Sequence, residues 1–251
     1  RDIGYSKVFC HYLNKIKEHN SIDKIHWHFH PISFNKGAHV SATSYDNSMH
    51  FLHQIILRRL IEYDWFPVAN RAGFHTIRQD SSFFLEQWMP FDYSNQAEFE
   101  EEELHQKDLN KGRFGDWRRA PKDWKPYNPS YEDYQSKGSM KRYTTKCLNL
   151  GTRLRLLTDY EIRKAFELAS KEGKAILSFT NHDFRDMSLD IQDVYSRIFN
   201  ISDEYTEVEI IHSDSVGAMR NYLFEEKELK ENKLKLDYQL LTEETSAYLT
   251  V

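Results

Sequence analysis

The sequence has few of the residues that build disulfide-stapled or membrane-spanning proteins. Two cysteines, Cys10 and Cys147, occur among 251 residues. They are too few for a disulfide framework, so we expect a reduced, cytoplasmic setting. No apolar run approaches the roughly 18 residues of a membrane span, and we expect no signal peptide before the first predicted helix. A globular protein without a transmembrane segment is the expectation that remains.

The sequence also lacks an excess of positively charged residues. Lys and Arg number 34 against 39 Asp and Glu, which gives a formal net charge of -5. Contacts to phosphates need a concentrated excess of Lys and Arg, so we expect no nucleic-acid partner. Aromatic residues are plentiful by contrast, at 14%. Flat rings pack in cores and also stack on the faces of sugars, so the composition suits a carbohydrate partner as well as an ordinary core.

Three histidines stand out because they alternate along one short stretch. His26, His28 and His30 occupy every second position between Ile25 and Pro31. Alternate side chains of a β-strand point to the same face, so one face would carry three imidazoles while the intervening aromatic rings face an apolar layer. Neutral imidazole is the commonest protein ligand of zinc and similar metals. The pattern favours a divalent metal site over a surface strand with solvated histidines.

Strand and helix patterns alternate along most of the chain. Helical spacing of apolar residues predicts helices near residues 5–19, 47–63, 80–88, 158–173, 191–198 and 216–223. Apolar runs predict strands near 25–31, 66–70, 91–93, 175–180 and 208–211. Thr158 and Glu161 have the spacing of a capping box, and Gly173 marks a helix end. Such alternation is typical of an α/β fold with a parallel sheet or barrel, whose sites form at the carboxyl ends of the strands.

The periodicity fails between residue 96 and about residue 142. Aromatic residues lie there among prolines and glycines, including Trp117, Trp124, Tyr127 and Tyr131. So long an irregular stretch is more often functional than a plain connector. We therefore expect this insertion to cover the rim of the sheet and to shape a substrate groove. A disordered or partner-binding insertion is the alternative.

Four short stretches stand at or near the ends of predicted strands: HWHFHP at 26–31, RAGF at 71–74, EQWMPFD at 86–92 and ILSFTNHD at 176–183. In order and content they resemble the second to fifth motifs of the polysaccharide deacetylases, the NodB-like carbohydrate esterase superfamily. The similarity covers about residues 5–225. It implies a distorted (β/α) barrel in a catalytic domain over 1–228, with the insertion at about 96–142 and a C-terminal extension over 229–251.

The resemblance also implies roles for individual side chains. His26 and His30 would bind a divalent metal, with zinc expected. His182 would act as the general acid that protonates the leaving group, and Arg71 would orient the catalytic carboxylate. The substrate groove would be lined by Trp88, Asp92 and Phe74, with Trp124 from the insertion.

The family's first motif, two consecutive aspartates at the end of a strand, has no counterpart before His26. Only Asp2 and Asp23 precede that residue, and neither ends an apolar strand. Either the chain, which opens on Arg1, lacks the first strand of the barrel, or His28 or another carboxylate replaces the motif. The catalytic base is therefore unassigned.

These observations lead to one expected function and two alternatives. We expect a metal-dependent hydrolase that removes an acetyl group from an N- or O-acetylated sugar of a surface glycan or its precursor. The first alternative is a catalytically inactive carbohydrate-binding or scaffold protein on the same fold. The second is a different metal hydrolase, such as a phosphoesterase, which would need more carboxylates near the histidines.

Overall fold

A computed structural model describes residues 5–30, 46–99, 114–152, 154–182 and 185–224. Over these ranges the chain forms six α-helices and five short strands. The helices are α1 Tyr5–Glu18, α2 Asp46–Tyr63, α3 Gln79–Glu86, α4 Asp159–Glu172, α5 Ser188–Ser202 and α6 Ser215–Leu223. The strands are β1 Ala69–Asn70, β2 Phe91–Asn95, β3 Tyr143–Lys146, β4 Leu148–Asn149 and β5 Phe179–Thr180. The predicted mixed α/β class is confirmed.

All of the strand pairs are parallel. Strands β1, β2 and β3 form one sheet in that order, and β4 pairs with β5 in a second. The histidine stretch extends the first sheet, because the Trp27 N–H donates to the Ala69 carbonyl at 3.0 Å and the Arg71 N–H donates to the Trp27 carbonyl at 3.0 Å. Only Cys147 separates β3 from β4. Five parallel segments thus follow one another in chain order, and within the described ranges they do not close into a barrel.

The two faces of these segments pack against different helices. We call the face covered by α2 to α5 the outer face, and the face against α6 the inner face. Outer-face core residues are Trp27, Leu52, Ile56, Phe84 and Leu85 in one cluster, and Leu148, Leu150, Ile162, Phe166, Val194 and Ile198 in another. Inner-face core residues are Ala69, Phe91, Tyr93, Cys147, Ile176 and Met219. Strand alternation therefore places His26 and His28 on the inner face, opposite Trp27.

Helix α4 begins and ends where the sequence predicts. The Thr158 hydroxyl accepts a hydrogen bond from the Glu161 N–H, and Gly173 ends the helix in the left-handed region with φ of 88°. The other half of the predicted capping box is wrong. The Glu161 carboxylate turns inward and accepts hydrogen bonds from the Lys146 ammonium and the Phe99 N–H, because a buried lysine needs a charged partner more than a helix end needs a second cap.

The insertion differs from the expected rim cover. Trp117 and Trp124 are 1% and 0% exposed, so both lie in the core. The Trp117 indole N–H donates to the His75 carbonyl at 2.7 Å, and that of Trp124 donates to the Glu161 carbonyl at 2.9 Å. Burial of a large ring with a partner for its N–H is the favourable state of an indole. These two tryptophans of the insertion are therefore part of the core.

Two strands predicted in the C-terminal half of the chain differ from those in the structure. The strand predicted at 208–211 does not form, and the one predicted at 175–180 shortens to Phe179–Thr180. Along the described ranges no helix has both the length and the apolarity to cross a bilayer. Pro31, Asp183 and the extension at 229–251 lie outside the described residues.

Candidate functional site

Several basic side chains meet at the carboxyl ends of the parallel segments. His28 and His30 end the first segment, Arg71 follows β1 and His182 follows β5. Arg71 and His182 are both close enough to lower the pKa of His28 and of His30 by charge repulsion. We call these four residues, together with His75, the histidine cluster. The carboxyl ends of parallel strands are where α/β proteins place their sites.

His28 and His30 face each other directly. Their Nε2 atoms are 3.1 Å apart, and the Nδ1 atom of His28 lies 2.7 Å from the carbonyl oxygen of Arg71. A carbonyl can only accept, so Nδ1 of His28 carries the ring proton and Nε2 keeps its lone pair. Metal-binding histidines commonly have this arrangement, with the second ring nitrogen held by a carbonyl or carboxylate.

Both rings are held in the neutral form that a metal requires. Desolvation, followed by the charge of Arg71, lowers the pKa of His28 to about 3. Desolvation, followed by the charges of Arg71 and His182, also lowers the pKa of His30. Solvent nevertheless reaches both side chains, which are exposed. The pair is therefore surrounded by protein on several sides and still open to a ligand.

The turn after β1 shapes the other side of this pair. A Cβ atom at Gly73 would lie 2.3 Å from Cγ of His30, so only glycine leaves room for the ring. Phe74 adopts φ of 52°, and its ring stands edge-on to His30 with the centroids 4.7 Å apart. A positive φ at a bulky residue is costly and is found where the surroundings impose it. Phe74 thus lies at the cluster, and its predicted place in a substrate groove stays a prediction.

His75 is a member that the sequence analysis missed. Its Nδ1 lies 3.2 Å from the Ser94 carbonyl oxygen, and its Nε2 lies 3.1 Å from Nη1 of Arg71. Nδ1 therefore donates to the carbonyl, and Nε2 accepts from the guanidinium. Burial, then the charges of Arg71 and Arg155, hold the pKa of His75 well below its usual value. The four-residue spacing from Arg71 was the available signal.

His26 does not join the cluster, and the predicted ligand pair of His26 and His30 is not the pair that meets. Four residues of extended chain span roughly 13 Å, whereas two ligands of one zinc ion each lie about 2 Å from it. Neither ring nitrogen of His26 has a hydrogen-bond partner in the part of the chain that the structure describes. Burial lowers the pKa of His26, while the charge of Asp214 opposes this effect.

Three predicted groove residues lie on the outer face instead. Asp92 is 1% exposed and pairs with Arg142, with 2.8 Å between Oδ2 and Nη2. Trp88 packs against His53 in the outer core, and Trp124 is fully buried. Asp92 alternates with Phe91 and Tyr93, so it must face away from them. These positions correct the prediction that Trp88, Asp92 and Trp124 line a groove.

The Nε2 atoms of His28 and His30 have a spacing that fits two ligands of one metal ion. Ligands at two corners of a tetrahedron with bonds of 2.0–2.1 Å lie about 3.3 Å apart, close to the 3.1 Å between the two Nε2 atoms. Within the described ranges, no group of three or more His, Cys, Asp or Glu side chains is arranged to hold a metal. His28 and His30 would therefore supply two ligands of such a site.

Comparisons of the chain with protein-family models, with curated proteins and with solved structures found no match. The chemistry of the histidine cluster therefore carries the functional interpretation.

Proposed function

We propose that the chain is a metal-dependent hydrolase that removes an acetyl group from an N- or O-acetylated sugar, with His28 and His30 as the metal pair. The observation that carries this proposal is the pair of facing Nε2 atoms, 3.1 Å apart, with the proton of His28 fixed on Nδ1 by the Arg71 carbonyl. Only a ring in that tautomer presents a lone pair toward its neighbour.

When bound, a divalent metal would polarise the acetyl carbonyl and lower the pKa of a water molecule, so that the water becomes a usable nucleophile near neutral pH. The chain's residues orient the participants. The Arg71 carbonyl fixes the ring of His28, and Phe74 with Gly73 fixes that of His30. Water adds to the acetyl carbon and the bond from this carbon to nitrogen or oxygen breaks, which releases acetate and the free sugar.

His182 is the proposed general acid. It follows β5, whereas His28 and His30 follow the first segment at the opposite end of the strand order, and it is close enough to influence both of them. An imidazolium can donate a proton near neutral pH, because free imidazole titrates near pH 6.5. His182 would pass this proton to the leaving nitrogen or oxygen of the sugar.

One observation favours the alternative of an inactive carbohydrate-binding protein. Along the described ranges, no carboxylate is among the groups whose charges act on His28, His30 or His75. A hydrolase of this kind needs a base to take the proton of the attacking water. A protein without such a base would still bind a metal and a ligand at the same cluster.

The two functions separate in a turnover experiment. We expect the zinc-loaded parent chain to release acetate from an acetylated sugar amide. Loss of a general acid costs on the order of 10²–10⁴-fold in rate, so His182→Ala should lose turnover on the amide. The loss should be smaller on an activated acetate ester, whose leaving group needs no proton. His50→Ala, on an exposed face of α2, is the matched control.

Zinc content is measured on the same samples. His182→Ala should retain the metal, since His182 is proposed to act on the leaving group. Loss of the metal from His182→Ala would make this residue a ligand. A parent chain that binds zinc and acetylated sugars but releases no acetate would support the binding protein instead.

A further inference from the structure

Arg71 lies at the histidine cluster, and its guanidinium has no carboxylate partner among the residues that the structure describes. Its half-buried guanidinium loses hydration, and burial is the first cause that lowers its pKa. Among the described residues, no Asp or Glu forms an ion pair with Arg71; its side chain contacts Nε2 of His75. A desolvated charge is costly unless an opposite charge and hydrogen bonds compensate it.

Within the described ranges, the residues whose charges mainly shift the pKa of the neighbouring rings are also basic. His28 is affected by Arg71, His30 and His182, and His75 by Arg71 and Arg155. Cys147 lies near Arg71, but burial raises the pKa of its thiol to about 11, so it is neutral near pH 7. Among the described residues of the cluster, Arg71 therefore supplies the permanent positive charge.

The buried cations of the outer face are different. Arg142 is paired with Asp92, and Lys146 is paired with Glu161, each pair being nearly inaccessible to solvent. The fold thus supplies carboxylates to buried cations elsewhere. Over the described ranges it supplies none to Arg71, which points to a partner that the ligand provides.

We infer that Arg71 binds the carboxylate of an acidic saccharide beside the His28 and His30 pair. This inference rests on the proposed function and names its substrate class. The guanidinium presents parallel N–H groups that match the two oxygens of a carboxylate. Nη1 of Arg71 already donates a hydrogen bond to Nε2 of His75, and the Arg71 carbonyl accepts one from Nδ1 of His28. The charge of Arg71 acts on both His28 and His30, so a carboxylate bound to its guanidinium would lie near the proposed metal pair.

A carboxylate of this chain outside the described residues would offer Arg71 the same oxyanion chemistry. Calorimetric titration of the full chain distinguishes the two sources, with glucuronate, glucose and inorganic phosphate as probes at constant ionic strength. We expect glucuronate to bind at least about tenfold more tightly than glucose, because hydrogen bonds between charged groups contribute most to discrimination. Phosphate should bind more weakly than glucuronate, since it lacks the saccharide ring.

Variants test whether Arg71 is responsible. Arg71→Gln should weaken glucuronate binding by roughly 10–100-fold, the usual effect of losing a charged hydrogen bond. Arg163→Gln removes the same charge from the exposed face of α4 and should leave the affinity unchanged. Arg71→Lys keeps the charge but not the planar fork, so it should lie between the parent and Arg71→Gln. It replaces Arg71→Gln in the comparison if that variant fails to fold.

Equal affinities for glucuronate and glucose, or unchanged affinity in Arg71→Gln, would overturn the inference. So would a parent chain that binds none of the anions, because Arg71 would then already be neutralised by the chain's own carboxylate. Phosphate binding as tight as that of glucuronate would also overturn it, because it would indicate a general anion site. Glucuronate binding without acetate release would contradict the proposed hydrolase and support the anion site. Acetate release from neutral sugars alone would support the hydrolase and contradict the anion site.

Discussion

Arg142 and Arg71 flank the two outer strands of the same three-stranded parallel sheet, but their side chains have different partners. Arg142 precedes β3, is 1% exposed and contacts the Asp92 carboxylate at 2.8 Å. Arg71 follows β1, lies among histidines and, in the described part of the chain, contacts no carboxylate. The first arginine neutralises a charge inside the fold. The second is half-buried and is the one that we propose to bind a ligand.

A second pair extends the comparison between the two faces. On the outer face, the Lys146 ammonium contacts Glu161 and also lies 4.6 Å from the ring centroids of Phe99 and Trp124. Desolvation lowers the pKa of Lys146 to about 8, against the opposing effect of Glu161. The carboxylate and the two aromatic rings therefore stabilise this buried cation. Polar groups of the outer face therefore hold the insertion and α4 in place.

The largest expected effect comes from breaking the Arg142 pair. Arg142→Met leaves the Asp92 carboxylate buried and unpaired, so we expect the free energy of unfolding to fall by about 3–5 kcal/mol. Denaturant titration at pH 7 measures this change. Arg71→Met is the matched control, since among the described residues it removes a hydrogen bond to His75 and no ion pair, and its effect should be smaller, about 1–3 kcal/mol. Equal losses for the two variants would erase the proposed difference between the faces.

The insertion offers a test of similar size. Trp124→Ala removes a fully buried ring and should lower the free energy of unfolding by about 3–5 kcal/mol. Tyr131→Ala changes an aromatic residue of the same segment that is 39% exposed, and should cost about 1 kcal/mol or less. If Trp124→Ala left the stability intact and weakened saccharide binding, the insertion would be the rim cover that the sequence suggests.

Acid should destabilise the fold through the histidine cluster. His75 is 4% exposed, and its pKa lies well below the usual 6.5 because burial and Arg71 disfavour its charged form. The unfolded chain therefore binds a proton below about pH 6.5 that the folded chain does not, and the free energy of unfolding falls as the pH falls. One such histidine contributes up to about 1.4 kcal/mol per pH unit.

This acid dependence is measured as the slope of the unfolding free energy between about pH 4.5 and pH 6.5. His75→Gln removes the titrating group, so its slope should be smaller by up to about 1.4 kcal/mol per unit. The comparison uses slopes because the substitution also changes packing at neutral pH. A variant with the slope of the parent would show that His75 is protonated in the folded chain.

Much of the fold follows from local signals in the sequence. Thr158 and Gly173 bound α4 as predicted, because an N-cap hydroxyl and a left-handed C-cap are properties of a few adjacent residues. The alternation of strands and helices along the chain also predicts the parallel strands, because a helix that connects two strands returns the chain to the same end of the sheet. The strand predicted at 208–211 fails, because an apolar run does not reveal whether a neighbouring strand is there to pair with it.

The site is only partly predictable, since its geometry depends on residues distant in sequence. Alternation places His26 and His28 on one face, but which two rings meet depends on the turn at Gly73 and Phe74. The pairing of Asp92 with Arg142 joins residues 50 positions apart, so no local pattern announces it. The aromatic residues of the insertion likewise suggest a substrate groove in the sequence, because their burial in the core depends on distant residues.

Zinc titration of the full chain tests the central claim most directly, which is that His28 and His30 form the metal pair. The parent is compared with His28→Ala, His30→Ala and His26→Ala by calorimetry. Loss of a partner that only orients a ligand already costs about 10–100-fold in metal affinity, so loss of His28 or His30 should cost at least as much. His26→Ala should bind zinc as the parent does. A loss of affinity in His26→Ala, with His28→Ala unchanged, would contradict the account.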